Sequence, residues 1–434
     1  LKKYLAIVLS LVLVLSIAAL SYAADEPQIK LNGKIVIRGW SYSNVTGLNA
    51  SPYTVVPNKK DSATFYTTNG YIMLDAKVAD NVQGYMELET GTSPQSGIYW
   101  WGNGNQAAGS TGQDSKANAN LWFRQLWLQY SGAGIGIPTV LKAGHMPISL
   151  GEKQFLNNER FGDDVIMLLL MPSKELTAGL VTLKVNEVDI TNNSDDLDAY
   201  TGLATYKIDK DSTAGANLTL VKNDISDMKL WNLGLHANGK AAGLSYAAEL
   251  DWQMGNMGTG AAEMKFKGYG VMAKVGYMIN PVNIRASAAM GSGDDDATDK
   301  NMKQFFTIVG QNTTSPIARS THFTQIYERT VITAAGTGST GISNTTYFNL
   351  GADVTPMADL SLSLDAFMLR ATKAAAGVKK DLGNEIDFKA NYKLAKNLNY
   401  FFDAGYFMTG DFYKSVGGKD ENVTQIMHGL SLTF

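Results

Sequence analysis

The sequence predicts an all-β fold, a transmembrane antiparallel β-barrel of about 18 strands with short periplasmic turns and long extracellular loops. Three observations predict it. Apolar and polar residues alternate at period two through most of the chain. Short and long connections alternate along it. The final stretch, Glu421 to Phe434, is itself such a strand: Ile426, Leu430, Leu432 and Phe434 fall on one side, and Gln425, Gly429, Ser431 and Thr433 on the other.

Composition supports this class. Cys is absent, which excludes disulfides, thiolate metal sites and c-type haem attachment. The four histidines, His145, His236, His322 and His428, have no metal-motif spacing, so neither a metal nor a cofactor is expected. With 20 Tyr, 7 Trp and 43 Gly against 10 Pro, the chain suits strands with an interfacial aromatic belt. Hydrophobic residues make up 45%, and the mean hydropathy of −0.10 is too low for a bundle of membrane helices. The net charge of −3 has no basic stripe, so nucleic acid is not an expected partner.

Residues 1–23 are expected to be a signal peptide and residues 24–434 the barrel. Lys2 and Lys3 precede an apolar run from Leu5 to Leu20, and Ser21-Tyr22-Ala23 offers small residues for cleavage. Beyond it the most apolar run is Val165 to Met171, far short of the roughly 18 residues of a spanning helix. Entry into a membrane must therefore use strands.

Taken in order, Ile29, Leu31, Ile35 and Ile37 alternate with Lys30, Lys34 and Arg38; Val82, Met86 and Leu88 alternate with Gln83, Glu87 and Glu89. The same pattern runs through Leu126–Tyr130; a short strand near Val140–Gly144, a candidate strand at Asp164–Met171 and another strand at Glu175–Val185 follow. The alternation continues to the end of the chain and is clearest at Lys240–Met254 and Gly383–Leu394. In Gly383–Leu394, Ile386, Phe388, Ala390, Tyr392 and Leu394 oppose Glu385, Asp387, Lys389, Asn391 and Lys393. A charge on every alternate residue cannot face hydrocarbon, where each costs about 2–4 kcal/mol at the midplane. That face must meet water. Short turns such as Ala79–Asn81, Asn238–Lys240 and Ala395–Asn397 separate long loops such as Gly91–Ala119 and Ser292–Asn344, the asymmetry of a Gram-negative outer-membrane barrel.

Two segments carry a family resemblance. The first is Phe123-Arg124-Gln125-Leu126-Trp127-Leu128, then Leu141-Lys142-Ala143-Gly144-His145, then Leu150-Gly151-Glu152. The second is Gly383-Asn384-Glu385-Ile386-Asp387, then Tyr392-Lys393-Leu394, then Gly410-Asp411-Phe412-Tyr413-Lys414. Together they resemble the alginate-export family of outer-membrane barrels. The resemblance implies an 18-stranded barrel; an enzyme is not expected, because the four histidines sit in no recognisable arrangement with a nucleophile. It departs from the family's pattern at His145, where the family carries Arg, and the inward parity here mixes both charge signs. The expected function is therefore passive passage of small hydrophilic solutes. Export of an alginate-like polysaccharide, or a porin sheath around a periplasmic cytochrome, are the alternatives.

The parity assigns Arg38, Glu87, Glu89, Lys142, Glu249, Asp251, Lys274, Arg285, Glu385, Asp387 and Lys389 to the pore lining. Arg124 shares parity with Leu126 and Leu128, so it either sits above the membrane or needs a bulge to turn inward; the lumen or rim is expected. The pairs Glu249/Asp251 and Glu385/Asp387 read as a hydrated lumen wall. Met146–Asp164 reads as a loop that narrows the pore, with Glu152, Arg160, Asp163 and Asp164 at the constriction. Trp40, Tyr42, Trp122, Trp231, Trp252, Tyr277 and Tyr406 read as girdle residues, and His428 as interfacial; Trp100-Trp101 is a candidate saccharide contact. Asp294-Asp295-Asp296 with Asp299 lacks the spacing of a calcium loop and is assigned no site. Outer-membrane lipids, lipopolysaccharide, and small solutes or saccharides are the expected partners, and a homo-oligomer is compatible with the sequence.

Overall fold

The computed structural model describes residues 27–44, 62–91, 99–100, 120–133, 136–186, 196–296, 298–309, 323–328, 341–416 and 421–434. Residues 1–23 and Trp101 lie outside them. Eighteen long antiparallel strands close on themselves. They are β1 (Gln28–Ser43), β2 (Ser62–Ala79), β3 (Val82–Gly91), β4 (Asn120–Gly132), β5 (Thr139–Met146), β6 (Asp163–Leu170), β7 (Leu176–Asn186), β8 (Leu197–Lys207) and β9 (Thr213–Asn223). The second half comprises β10 (Met228–Ala241), β11 (Leu244–Met257), β12 (Tyr269–Ile279), β13 (Val282–Gly291), β14 (Thr345–Met357), β15 (Leu360–Ala371), β16 (Asp381–Ala395), β17 (Leu398–Thr409) and β18 (Val423–Thr433). The sheet has 21 segments, because the short pieces Tyr99–Trp100, Met264–Phe266 and Asn301–Met302 add to these staves.

Closure depends on the last strand. β18 pairs with β1 from Lys34↔Thr433 to Ser43↔Thr424. Phe434 extends the seam: Gly33 N donates to its carbonyl at 2.7 Å and accepts its N–H in return at 2.9 Å. A closed sheet leaves no unpaired edge, the condition for crossing hydrocarbon with strands. Leu250, Trp252, Phe348, Leu350, Met368 and Ile386 are among the large apolar side chains exposed on the outer face.

One turn differs from the expectation at Asn238–Lys240. Those residues stay in the ladder, with Asn238 opposite Ala247 and Gly239 opposite Tyr246. The chain reverses instead at Ala242 (φ 49°) and Gly243 (φ 83°), a two-residue turn with both central residues left-handed. Pairing along thirteen positions decides the register over the local Asn-Gly signal.

The girdle reading also divides. Trp231, Trp252, Tyr277 and Tyr406 are exposed on the outer face, and His428 shares the outward parity of Ile426 and Leu430. Trp40 is the exception: it is 4% exposed inside the barrel, and its Nε1 donates to Thr67 Oγ1 at 3.0 Å. It follows the inward parity of Lys34 and Arg38. Tyr42 shares that parity and packs against the internal cluster, and Trp122 lies opposite the inward-facing Glu89.

The strand register stacks inward residues in rows. Nearest the long loops, Met272, Ala289, Tyr347 and Leu369 form an apolar row. Toward the short turns, Arg285, Asp365 and Asp387 form a charged one, followed by Asp353, Ser363, Lys389 and Asp403.

Candidate pore constriction

Two long connections fold into the barrel and meet there. The first joins β5 to β6. It leaves at Gly144 (φ 132°), where a Cβ would meet the Leu126 carbonyl oxygen at 2.2 Å, so only glycine lets the strand pass so close. Its tip carries Phe155 and Leu156, both essentially unexposed. They share one buried apolar cluster with Val165, Val181, Leu183, Ala199, Val221 and Leu230 from the inner face of β6–β10. Truncating a buried ring of this kind costs about 3–5 kcal/mol, so packing anchors the tip of the loop.

Ion pairs fix its return to β6. Arg160 makes a two-pronged contact with Glu89, Nη1 donating to Oε2 at 2.9 Å and Nη2 to Oε1 at 2.7 Å. Beside it Arg124 Nη1 donates to both Glu87 oxygens at 2.9 Å, while Nε and Nη2 donate to the carbonyls of Arg160 and Glu159, each at 3.1 Å. Arg124 can do this because the β3–β4 register shifts between Glu87 and Leu88: Gln125 opposes Glu87 and Phe123 opposes Leu88, leaving Arg124 as the bulged residue. On the far wall Asn238 Nδ2 donates to Glu152 Oε1 at 2.7 Å.

The second connection joins β13 to β14. Ile308–Val309 pairs in parallel with Leu156–Asn157, so the two loops form one internal plug. Gln253 on β11 grips it through its amide, donating to the Phe306 carbonyl at 2.7 Å and accepting from Phe306 N at 2.9 Å. Further along, three successive backbone N–H groups meet the acid pair of β16. Gln325 N donates to Asp387 Oδ2 at 3.0 Å, Ile326 N to Glu385 Oε1 at 2.6 Å, and Tyr327 N to Glu385 Oε2 at 2.8 Å. Phe323 stacks on Tyr347 with centroids 4.6 Å apart.

This corrects the reading of the acid pairs as a hydrated wall. Glu249 and Asp251 are 3% and 1% exposed, and Glu385 and Asp387 0% and 3%. They lie beneath the loops: Gln154 N of the first loop approaches Glu249 Oε2 at 3.4 Å, while Asp251 accepts from Asn232 Nδ2 of the neighbouring β10 at 2.8 Å. Asp164 is a second correction. It faces outward with Ile166, and His145 Nδ1 pairs with its Oδ1 at 2.9 Å. Asp163 faces inward at the root of the loop, accepting from Asn158 Nδ2 at 2.8 Å.

The other inward charges are distributed along the wall. Arg38 Nη1 donates to Asn69 Oδ1 at 2.5 Å. Lys142 Nζ sits 3.5 Å over the Trp127 ring. Arg285 is consumed by two acids, at 2.7 and 2.9 Å from Asp353 and 2.9 and 3.0 Å from Asp365. A cavity of about 530 Å3 remains under the plug, bordered by Lys274, Arg285, Asp353, Lys389, Phe323 and Tyr347. The acidic outer loop resolves into local pairs: Asp295 with Lys373 at 2.9 Å, and Asp299 with Lys303, whose ammonium holds the Asp299 carboxyl down at about 2. Among the described residues no cluster of three or more acidic or His groups could hold a metal.

The family of alginate-export proteins matches residues 196–426, more than half of the chain. The chain belongs to the alginate-export family. The match takes in most of the second resembling segment and lies beyond the first. No curated protein matches this family member. Solved structures share its fold at low identity. OpdL of Pseudomonas aeruginosa has a TM-score of 0.59 at 12% identity, covering 94% of this chain and 99% of that one. OccK8 (OprE) of the same organism has 0.56 at 10%, covering 94% and 98%. P. aeruginosa OpdK, solved with vanillate, has 0.56 at 10%, covering 93% and 98%. This alginate-export protein is thus an 18-stranded outer-membrane barrel.

Proposed function

We propose that this barrel is a porin that passes small hydrophilic solutes passively across the outer membrane, with the two infolded loops as its size filter. The observation that carries the reading is the state of the inward arginines. Arg124, Arg160 and Arg285 are each engaged by carboxylates, through Glu87, Glu89 and the pair Asp353/Asp365. A polyuronate exporter needs a continuous ladder of unpaired cations along its path; here three of the four described inward guanidiniums are already neutralised, and the fourth, Arg38, is tied to the Asn69 amide. The plug supports the same choice, since loops of the chain itself occupy the space that a periplasmic electron carrier would need. The named relatives with the same fold include one solved with a small aromatic acid, in keeping with a small-solute path.

Planar bilayers test this. Purified protein is expected to give stable conductance steps, a small reversal potential in a salt gradient, and no block by polyuronate. Strong anion selectivity with polyuronate block would replace the porin reading with export of an acidic polysaccharide.

A further inference from the structure

Charge at the extracellular rim of the outer face is uneven. Lys229 on β10 faces outward one step above Trp231, and Arg370 on β15 one step above Met368. Lys265 and Lys267 face outward in the run entering β12, above Tyr269, which stacks on Trp252 with centroids 6.4 Å apart. These four cations are exposed, and none has an ion-pair partner among the described residues. The neighbouring arc is different. There Lys184 pairs with Asp196 and Asp198 at 2.8 and 3.0 Å, Lys222 pairs with Asp224, and His145 pairs with Asp164. Between Trp252, Met254, Tyr269, Lys267 and Lys373 the outer wall opens a crevice of about 660 Å3.

We propose that the rim over β10–β15 binds a phosphorylated, acylated amphiphile, the lipid A of outer-leaflet lipopolysaccharide. Aromatic rings mark the boundary between hydrocarbon and headgroups. Ammonium and guanidinium groups just above that boundary meet lipid phosphates, where low water content strengthens the attraction. Acyl chains then lie against Trp252 and Met254. A free anion would not need this apolar floor, and a neutral lipid would not need the cations. The site is independent of what the lumen passes.

Binding to the detergent-folded full chain tests it, with three probes: lipid A carrying its phosphates, the same lipid dephosphorylated, and inorganic phosphate as competitor. Wild type and Lys210→Gln, a change in a periplasmic turn, are expected to bind phosphorylated lipid A alike. The quadruple variant Lys229→Gln, Lys265→Gln, Lys267→Gln, Arg370→Gln should bind at least about tenfold more weakly while keeping wild-type conductance. Should that variant fail to fold, Lys265→Gln with Lys267→Gln reports the same loss in smaller measure. Undiminished lipid A binding by the folded variants overturns the proposal. So does equal binding of dephosphorylated lipid, which marks a purely apolar groove, or full competition by inorganic phosphate, which marks a free-anion site.

Discussion

Arg160→Ala is expected to raise single-channel conductance severalfold and to lower stability by about 3–5 kcal/mol. The two effects have one cause. Arg160 ties the return of the first infolded loop to β3 through two charge-assisted hydrogen bonds to Glu89, whose side chain is only 5% exposed. Removing the guanidinium leaves a buried carboxylate with only two uncharged donors among the described residues, Asn69 Nδ2 at 3.1 Å and the Tyr71 hydroxyl. The penalty belongs largely to that orphaned charge, so Glu89→Gln in the same chain should restore much of the stability. It should not restore the narrow pore, because the tie is still cut. Conductance and thermal unfolding of the two single variants and the double variant separate the effects. A double variant with wild-type conductance would show that Phe155 and Leu156 hold the loop without the ion pair.

Glu385→Gln should release the second loop. The carboxylate accepts two adjacent N–H groups, one on each oxygen, and an amide offers only one acceptor. Its NH2 group would then face a backbone donor in a fully buried place, a mismatch that costs about 1–3 kcal/mol. The expected result is protease cleavage at 323–328 of folded barrels, together with larger and noisier conductance steps. Asp387→Asn, which faces one N–H at 3.0 Å, should have the smaller effect of the two. Equal resistance of the Glu385 variant and wild type to protease would show that the aromatic stack of Phe323 on Tyr347 suffices.

The barrel was legible because strand alternation is a local property. Most of the 18 staves follow from which parity is apolar, β6 showing instead as the apolar run Val165–Met171, and the bulge at Arg124 is one of the two outcomes that a charge on the wrong parity allows. What period two leaves open is the material that covers the inner face. Val165, Val181, Leu183 and Val221 share inward parity yet are apolar, because Phe155 from a distant loop packs on them. Glu385 and Asp387 look like a wetted wall for the same reason: the backbone N–H groups they receive come from some sixty residues upstream. Asp164 was misplaced by its neighbours in sequence. One residue beyond the loop, the β6 alternation turns it outward to His145. The charge on a side chain predicted its distance from hydrocarbon well, and its distance from water poorly.

The chain has no cysteine, so single cysteines carrying nitroxide labels can test the claim beneath the whole account. Labels at Leu250, Val271 and Ile386 should be relaxed in lipid bilayers by oxygen, which concentrates in hydrocarbon. Labels at Lys274, Ser287 and Lys389 should be relaxed by a water-soluble nickel chelate. Uniform exposure to the chelate at all six positions, or the opposite alternation, would contradict a barrel with a lipid-facing outside and a watered interior.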